Sequence, residues 1–295
     1  MDFKNIKTYP IALRKNKFHL NQMIPLDNNI HFISDELKRL AQHIRSARDK
    51  QQPIVFMLGG AVIKEGCSQL LIDLIQKGFI THLATNGSVT IHDFEIALIG
   101  ETSEDVQNGL DEGSFGMAEE TSVQMNAAIN RGYEKGIGYG QAIAEAISES
   151  PLSYKEYSVF YQGLKHNVKL TVHVAIGGDI IHQHHSCNGA ALGATSYRDF
   201  KLMTESMTKI GTGVVCNIGS AVIMPEIFLK TLTIARNLGY RYNNFVVANF
   251  DFLSMYRPQT RVLEWPASSL GVKAYNVQGR HNETIPQLHK LLCDQ

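Results

Sequence analysis

Short runs of consecutive hydrophobic residues alternate with longer segments of helical periodicity along most of the chain. An apolar run of four to eight residues, bounded by glycine or polar residues, is typical of a strand buried on both faces. Such runs predict strands at 54–58, 80–85, 170–176, 213–218, 245–248 and 272–275. Helices are predicted from residue 34 and at 69–77, 93–99, 125–133 and 225–238. Repeated strand–helix units with short connections predict an α/β fold with a doubly wound, mostly parallel sheet and helices on both faces.

Two parts of the chain depart from this alternation. Residues 1–33 mix Lys, Asn and Pro with isolated apolar residues (Tyr9, Ile11, Phe18, Ile24 and Phe32). This pattern favours an N-terminal arm on the surface or against a neighbouring subunit, or else a partly disordered leader. Residues 34–295 form one domain, in which the polar and acidic segment 101–150 is interpreted as a helical insertion without a strand, beside or over the site.

Small polar clusters follow the predicted strands. Parallel strands bring their carboxyl ends to one edge, where glycine and serine expose backbone N–H groups to phosphate and ribose. That edge is therefore a candidate dinucleotide crevice. The candidate cofactor-binding residues are Gly59, Gly60, Asn86, Gly87, Ser88, Gly177, Gly178, Gly219, Ser220 and Asn249.

Acids and histidines lie near the same predicted edge. Asp179 comes directly after Gly177-Gly178 and is a candidate for neutralising a cationic substrate, helped by Asp93 or Glu95. His182 or His184 would move a proton, because imidazole titrates near neutral pH. His92 could orient a substrate amine or a water, whereas Asp93 could equally serve only as a helix cap. The candidate catalytic residues are Asp179, His182, His184, His92 and Asp93.

The same histidines permit a metal interpretation. On an extended segment His182 and His184 point the same way and could share one ion, with Asp179 and His173 completing the shell. No second pair of acid and histidine at ligand spacing stands out elsewhere in the sequence. We therefore assign no metal ligand, and metal-dependent hydrolase or lyase chemistry remains an alternative.

The composition narrows the class of partner. Lys+Arg and Asp+Glu each total 28, so a formal net charge of zero gives no field that attracts nucleic acid or an anionic membrane. The four cysteines have no CxxC spacing, and no apolar run reaches about 18 residues. These features predict a cytoplasmic protein with reduced thiols and a small-molecule substrate.

Over about residues 50–290 the chain resembles the deoxyhypusine synthase family. The resemblance lies in segments 54–95 (IVFMLGG to HDFE), 165–183, 213–252 and 271–279. It implies a Rossmann-like, NAD-binding fold and a homotetramer with sites at subunit interfaces. In that family NAD takes a hydride from an amine of spermidine, and an aminobutyl group moves to a lysine of a translation factor. Asp179 lies where the family has a substrate-binding aspartate.

The chain departs from the family pattern at the catalytic positions. The family lysine belongs to a Trp-Gly-Lys motif before the last strand, but residues 257–265 here contain no lysine, and Lys273 falls within that strand. Arginine cannot replace it, because a guanidinium stays protonated and forms no imine. Met224-Pro225-Glu226 occupies the position of the family histidine. The leading hypothesis is therefore an NAD-binding enzyme for a small amine or related polar substrate, not a true deoxyhypusine synthase. A catalytically silent oligomeric binding protein is a further alternative.

Overall fold

Eight strands are present in the computed structural model, which describes residues 3–27 and 34–293. They are β1 (Asn16–His19), β2 (Ile54–Leu58), β3 (His82–Asn86), β4 (Glu101–Glu104), β5 (Lys169–His173), β6 (Val214–Ile218), β7 (Val246–Asp251) and β8 (Lys273–Gln278).

Twelve α-helices accompany these strands in the described ranges, and a π-helical segment, Pro258–Glu264, precedes the eleventh. They are α1 (Asp35–Asp49), α2 (Ala61–Lys64), α3 (Ser68–Gln76), α4 (Gly87–Ile99), α5 (Val106–Glu112), α6 (Glu119–Lys135), α7 (Tyr139–Glu149), α8 (Val159–Lys165), α9 (Gly189–Thr208), α10 (Ile223–Asn237), α11 (Trp265–Leu270) and α12 (His281–Cys293).

The main sheet has six parallel strands in the order β5-β3-β2-β6-β7-β8. When the six strands are numbered along the chain, this is the order 3-2-1-4-5-6 of the Rossmann fold. In that fold successive strands are added on one side of the first strand up to the third, and on its other side from the fourth onward. This change of side lies here between β2 and β6. The predicted α/β fold with a doubly wound parallel sheet is confirmed.

The alternation of side chains along β2 shows why helices cover both faces of the sheet. All five residues of β2 are fully buried. Phe56 and Leu58 pack with α1 and α3, whereas Val55 and Met57 pack with Met203 of α9 and with α10. Successive strand residues point to opposite faces, so a continuous apolar run requires two cores.

Helix α1 begins where its sequence predicts. The Ser34 side chain accepts a hydrogen bond from the backbone N–H of Leu37, which caps the first turn. Leu37, Leu40 and Ile44 recur at helical spacing and are completely buried. Each such side chain contributes about 1.5–3 kcal/mol by leaving water.

The described N-terminal residues form part of a small second sheet. Strand β1 pairs antiparallel with β4, with Phe18 opposite Thr102. The prediction that segment 101–150 contains no strand is therefore wrong. The polar sequence Glu-Thr-Ser-Glu has no apolar alternation, and it becomes a strand because a partner far away in the chain pairs with it. The parts of the predicted arm at 1–2 and 28–33, including Phe32, lie outside the described residues.

Two predicted boundaries move at the carboxyl edge of the main sheet. Helix α4 begins at Gly87, not at residue 93, because the Asn86 side chain caps it by accepting from the N–H of Val89. Strand β5 ends at His173, and Ile176 is exposed in the loop that follows. Both shifts bring polar residues closer to the sheet than the sequence predicts.

Side chains of α9 cover the outer edge of β5. Asp199 Oδ2 accepts hydrogen bonds from the backbone N–H groups of Val172 (2.8 Å) and Gly140 (2.9 Å). Ser196 Oγ accepts from Val174 N (3.2 Å) and donates to the carbonyl of Val172 (2.9 Å). The outward-facing N–H and C=O of Val172 and the N–H of Val174 are thus satisfied by side chains within the same chain.

The structure also bears on the predictions from composition. The four cysteines are free thiols. No helix formed by the described residues combines the length and apolar character needed to cross a membrane.

Candidate active site

A cavity of about 240 Å³ opens beside the carboxyl edge of the main sheet. Ser88 and His92 line it from the first turns of α4, and Asp179 lines it from the loop after β5. Arg14 from the N-terminal segment and Phe115 from the loop after α5 close other sides. Residues from two separate predicted clusters therefore meet in one space.

Asp179 is a buried carboxyl group held against the start of α4. A methyl group added to Gly87 would lie 1.9 Å from Asp179 Oδ2, so only glycine allows this approach. Among the described residues, no lysine or arginine forms an ion pair with this carboxylate. Burial raises the pKa of Asp179 to about 6. The group is thus poised to bind a cation.

His182 serves the turn after β5. Its Nδ1 accepts hydrogen bonds from the backbone N–H groups of Gly177 (3.1 Å) and Asp179 (3.2 Å). A backbone N–H can only donate, so the proton of the neutral ring lies on Nε2. This buried Nε2 has no hydrogen-bond partner in the described part of the chain and lies 3.8 Å from Asp179 Oδ2. His182 can donate a hydrogen bond from Nε2, but it offers no free lone pair.

His184 lies in a different cluster from Asp179. Its Nδ1 accepts from the N–H of Ser186 (3.1 Å), and its Nε2 lies 3.4 Å from Glu119 Oε2. Its ring packs on that of His185, and it is not among the residues that line the cavity. The predicted pairing of His182 and His184 in one site is therefore not found.

His92 is the cavity histidine whose lone pair is available. Its Nδ1 lies 2.8 Å from Thr102 Oγ1, and this hydroxyl donates to Glu95 Oε2 (2.6 Å). Because the hydroxyl proton goes to Glu95, the Nδ1–H of His92 is the donor and its Nε2 carries the lone pair. Burial lowers the pKa of His92 to about 4, so the ring is neutral at pH 7.

Glu95 and Arg14 form a buried ion pair behind His92. Arg14 Nη1 donates to Glu95 Oε1 (2.7 Å), which also accepts from the hydroxyl of Thr121 (3.0 Å). Arg14 Nε donates to Asn16 Oδ1 (2.8 Å). Sequence reasoning considered Glu95 but missed Arg14 and Thr102, whose roles depend on the pairing of β1 with β4.

Asp93 does not reach the cavity, which corrects its predicted catalytic role. Its carboxylate accepts from the Ser158 hydroxyl (2.5 Å) and from the N–H groups of Val159 (2.7 Å) and Phe160 (3.2 Å). It therefore caps α8. Adjacent helix residues point about 100° apart, so His92 and Asp93 serve different neighbours. Complete burial raises the pKa of Asp93 to about 6.

Two of the predicted cofactor glycines donate their backbone N–H groups to carbonyl oxygens of the sheet. Gly59 N donates to Ile218 O (2.9 Å), and Gly219 N donates to Phe250 O (3.0 Å). A methyl group on Gly59 would lie 1.9 Å from Gly219 O, so close packing between the two loops requires this glycine. Their N–H groups are thus not available to a phosphate.

Ser220 and Asn249 are likewise engaged within the protein. Ser220 Oγ accepts from Met224 N (3.2 Å) at the start of α10. Asn249 belongs to a ladder across β6, β7 and β8, in which Asn217 Nδ2 donates to Asn249 Oδ1 (2.8 Å) and Asn249 Nδ2 to Asn276 Oδ1 (3.4 Å). These contacts give both predicted cofactor residues structural partners.

The remaining predicted cofactor residues surround the cavity or lie at its margin. Ser88 Oγ donates to Asn86 Oδ1 (2.8 Å), and Gly178 lines the cavity beside Asp179. Gly177 has φ of 93°, and an added methyl group there would meet no atom within 4 Å. Gly60 and Gly177 are only partly covered or exposed. Open backbone of this kind fits the close approach of a dinucleotide.

Potential metal ligands group differently from the predicted set. In the described ranges, clusters of three such residues are Glu119/His184/His185 and Asp73/His289/Cys293. Neither includes Asp179 or His182, so the ligand set of the metal alternative is not assembled. The carboxylate of Asp73 already accepts from Lys77 (2.7 Å) and pairs with His289 (2.6 Å).

Comparison with known proteins places the fold among Rossmann folds. Residues 38–180 match the family model of the Rossmann-fold domain in the C-terminal part of arginine dihydrolase ArgZ-like proteins. No curated protein matches the chain.

Three solved structures share the fold at low sequence identity. Cyanobacterial ArgZ is 16% identical with a TM-score of 0.54, and covers 89% of this chain and 33% of its own. AgrE in complex with ornithine and NAD⁺ is 15% identical with a TM-score of 0.51, covering 90% and 34%. A protein assigned as a deoxyhypusine synthase of Entamoeba histolytica is 10% identical with a TM-score of 0.53, covering 88% and 87%. The chain thus spans about a third of the length of ArgZ and AgrE. Its likeness to the deoxyhypusine synthase structure is a likeness of fold alone.

Proposed function

We propose that the protein is an NAD-binding enzyme of deoxyhypusine-synthase-like fold that acts on a small amine or a related polar substrate. One observation carries the proposal. The carboxylate of Asp179, with which no lysine or arginine of the described residues forms an ion pair, and the neutral ring of His92 line the same cavity at the carboxyl edge of a Rossmann-type sheet. Ligands of open α/β sheets bind at this edge.

The chemistry follows from the protonation states of these two residues. Above pH 6 the Asp179 carboxylate binds a substrate ammonium group, which supplies the positive charge that no lysine or arginine of the described residues provides. His92 Nε2 then accepts a proton from the bound amine, as a general base does. Lys64, which also lines the cavity, would attract a negative group on the substrate.

NAD, when bound, supplies the acceptor for a hydride. The backbone at Gly60, Gly177 and Gly178 would hold it, since Gly177 and Gly178 are exposed and Gly60 is partly exposed. An added methyl group at Gly177 would meet no atom within 4 Å, so a ligand can approach closely there. The complex of AgrE with ornithine and NAD⁺ supports this pairing of cofactor and amine-bearing substrate. Aminobutyl transfer through an imine is not proposed, because residues 257–265 provide no lysine.

Calorimetry of NAD binding to the untagged protein tests the proposal. We expect micromolar binding, and formation of NADH when small amines are added. Gly87→Val should abolish binding, because its side chain would collide with Asp179. Gly189→Val is a matched control, since Gly189 also begins a helix but has open space around it. A wild-type protein that binds no NAD would contradict the proposal and favour a catalytically silent binding protein.

A further inference from the structure

We infer that Thr102 and Glu95 are positioning residues that set the tautomer of His92, and that Arg14 holds Glu95 in the state this requires. The inference rests on the proposed role of His92 as a base. It extends the site to the N-terminal segment and to β4, neither of which carries a sequence motif.

The direction of each hydrogen bond follows from the ion pair. Glu95 pairs with Arg14 at 2.7 Å, and an ionised carboxylate only accepts hydrogen bonds. The single hydroxyl proton of Thr102 must therefore point to Glu95 Oε2, 2.6 Å away. Thr102 Oγ1 is left as an acceptor for the Nδ1–H of His92 at 2.8 Å. The Nε2 of His92 then presents a lone pair.

Burial makes this chain of hydrogen bonds, from Arg14 through Glu95 and Thr102 to His92, rigid. The Glu95 and Arg14 side chains are 2% and 3% exposed, and Thr102 is fully buried. Hydrogen bonds to charged groups are shorter and stronger than neutral ones, and low exposure removes competing water. His92 and Glu95 are three residues apart on α4, which puts them on one helix face. Pairing of β1 with β4 brings Thr102 to that face.

Two other histidines near the sheet edge, His182 and His184, do not depend on these hydrogen bonds. Nδ1 of His182 accepts from the backbone of Gly177 and Asp179, and Nδ1 of His184 accepts from the backbone of Ser186. In its neutral form each of these rings carries the proton on Nε2, whatever happens at Thr102. His92 instead carries its proton on Nδ1, so His182 and His184 serve as two internal references for its tautomer.

Long-range ¹⁵N–¹H spectra of the imidazole rings test the assignment without requiring activity. We expect His92, identified by loss of its signals in His92→Gln, to carry its proton on Nδ1. The decisive variant is Glu95→Gln. Its carboxamide oxygen still accepts from Arg14, but its NH₂ group donates to Thr102 and turns the hydroxyl proton toward His92.

In Glu95→Gln the proton of His92 should therefore move to Nε2, while His182 and His184 keep their signals. Thr102→Ser retains the hydroxyl and should keep the wild-type tautomer. Thr102→Val should give a mixture. A wild-type His92 protonated on Nε2, or a Glu95→Gln protein with an unchanged His92, would overturn the inference.

Kinetics with amine and NAD give a second measurement. Glu95→Gln should lower kcat by about 10²-fold or more, as expected for loss of a correctly oriented base. KM for the amine should change little, because Asp179 binds the ammonium group. Thr233→Val on α10 is a control for loss of a threonine hydroxyl remote from the cavity. If the protein binds no NAD, the proposed function fails, whereas the spectra still decide the tautomer.

Discussion

The Asp179 carboxyl group is destabilised in its charged form by the fold that holds it. Burial beside the backbone of Gly87 raises its pKa from 3.8 to about 6. In the unfolded chain the same group ionises near pH 4. Ionisation thus costs more in the folded than in the unfolded state, and folding stability falls as pH rises through this range.

Replacement of this carboxyl group by an amide should therefore stabilise the protein at neutral pH. Asp179→Asn is expected to raise the free energy of unfolding by up to about 3 kcal/mol at pH 8, because a shift of one pKa unit corresponds to about 1.4 kcal/mol. The gain should shrink between pH 6 and 4 and vanish below pH 4. Urea denaturation of both proteins across this pH range measures it. A difference that is independent of pH would show that the Asp179 carboxylate carries no burial cost.

His92→Gln tests which histidine provides the base. We expect kcat for amine oxidation to fall by about 10²–10⁴-fold, with NAD affinity unchanged in calorimetry. His182→Gln serves as the comparison, since its Nδ1 already accepts two backbone N–H groups. A smaller loss of kcat for His92→Gln than for His182→Gln would show that His92 is not the base.

Sequence reasoning reached some of these residues and not others for identifiable reasons. Asp179 and His92 follow predicted strands, so parallel topology alone brings them together. His92 and Asp93 are neighbours, and only the rotation of α4 separates the cavity residue from the cap of α8. Arg14 and Thr102 lie 88 positions apart by number, and no local pattern links the strands that bring them to Glu95.

At the scale of elements, the start of α4 determines the shape of the site. Gly87 is the first residue of the helix and touches Asp179, whereas Gly189 is the first residue of α9 and has no atom within 4 Å of an added methyl group. The two glycines therefore have equivalent helical positions and opposite surroundings.

Substitution of each glycine by alanine should separate packing from helix propensity. Gly87→Ala is expected to lower stability by about 1–3 kcal/mol, as overpacking does, and to displace Asp179. Gly189→Ala should leave stability unchanged or raise it by about 0.5–1 kcal/mol. Thermal unfolding reports both values. Equal effects at the two positions would contradict the contact between Gly87 and Asp179.

The prediction of elements succeeded where burial on both faces imposes a pattern. All six strands of the main sheet were found, because a strand covered by helices on both sides must be continuously apolar. Strand β4 was missed because its Glu-Thr-Ser-Glu sequence carries no such requirement. Helix α4 was started late, since Asn86-Gly87-Ser88 is equally typical of a turn and of a helix cap.

At the scale of the whole molecule, the ion pair between Arg14 and Glu95 ties the N-terminal segment to the main domain. Arg14→Met should lower the free energy of unfolding by about 3–5 kcal/mol, because it leaves a buried carboxylate without its partner. The double variant Arg14→Met/Glu95→Leu should recover much of this loss. Denaturant titration of the wild type, Arg14→Met, Glu95→Leu and the double variant decides it. An additive double variant would show that the pair is not coupled.

The covered edge of β5 affects the tendency of this protein to aggregate during folding. The backbone groups of Val172 and Val174 are already bonded to Asp199 and Ser196. A strand from another chain therefore cannot form hydrogen bonds with these groups. The protection depends on α9 docking first. Ser196→Ala should thus leave the folded state nearly intact yet increase the aggregate formed on refolding at high concentration, since a partly formed molecule then offers its edge as a template.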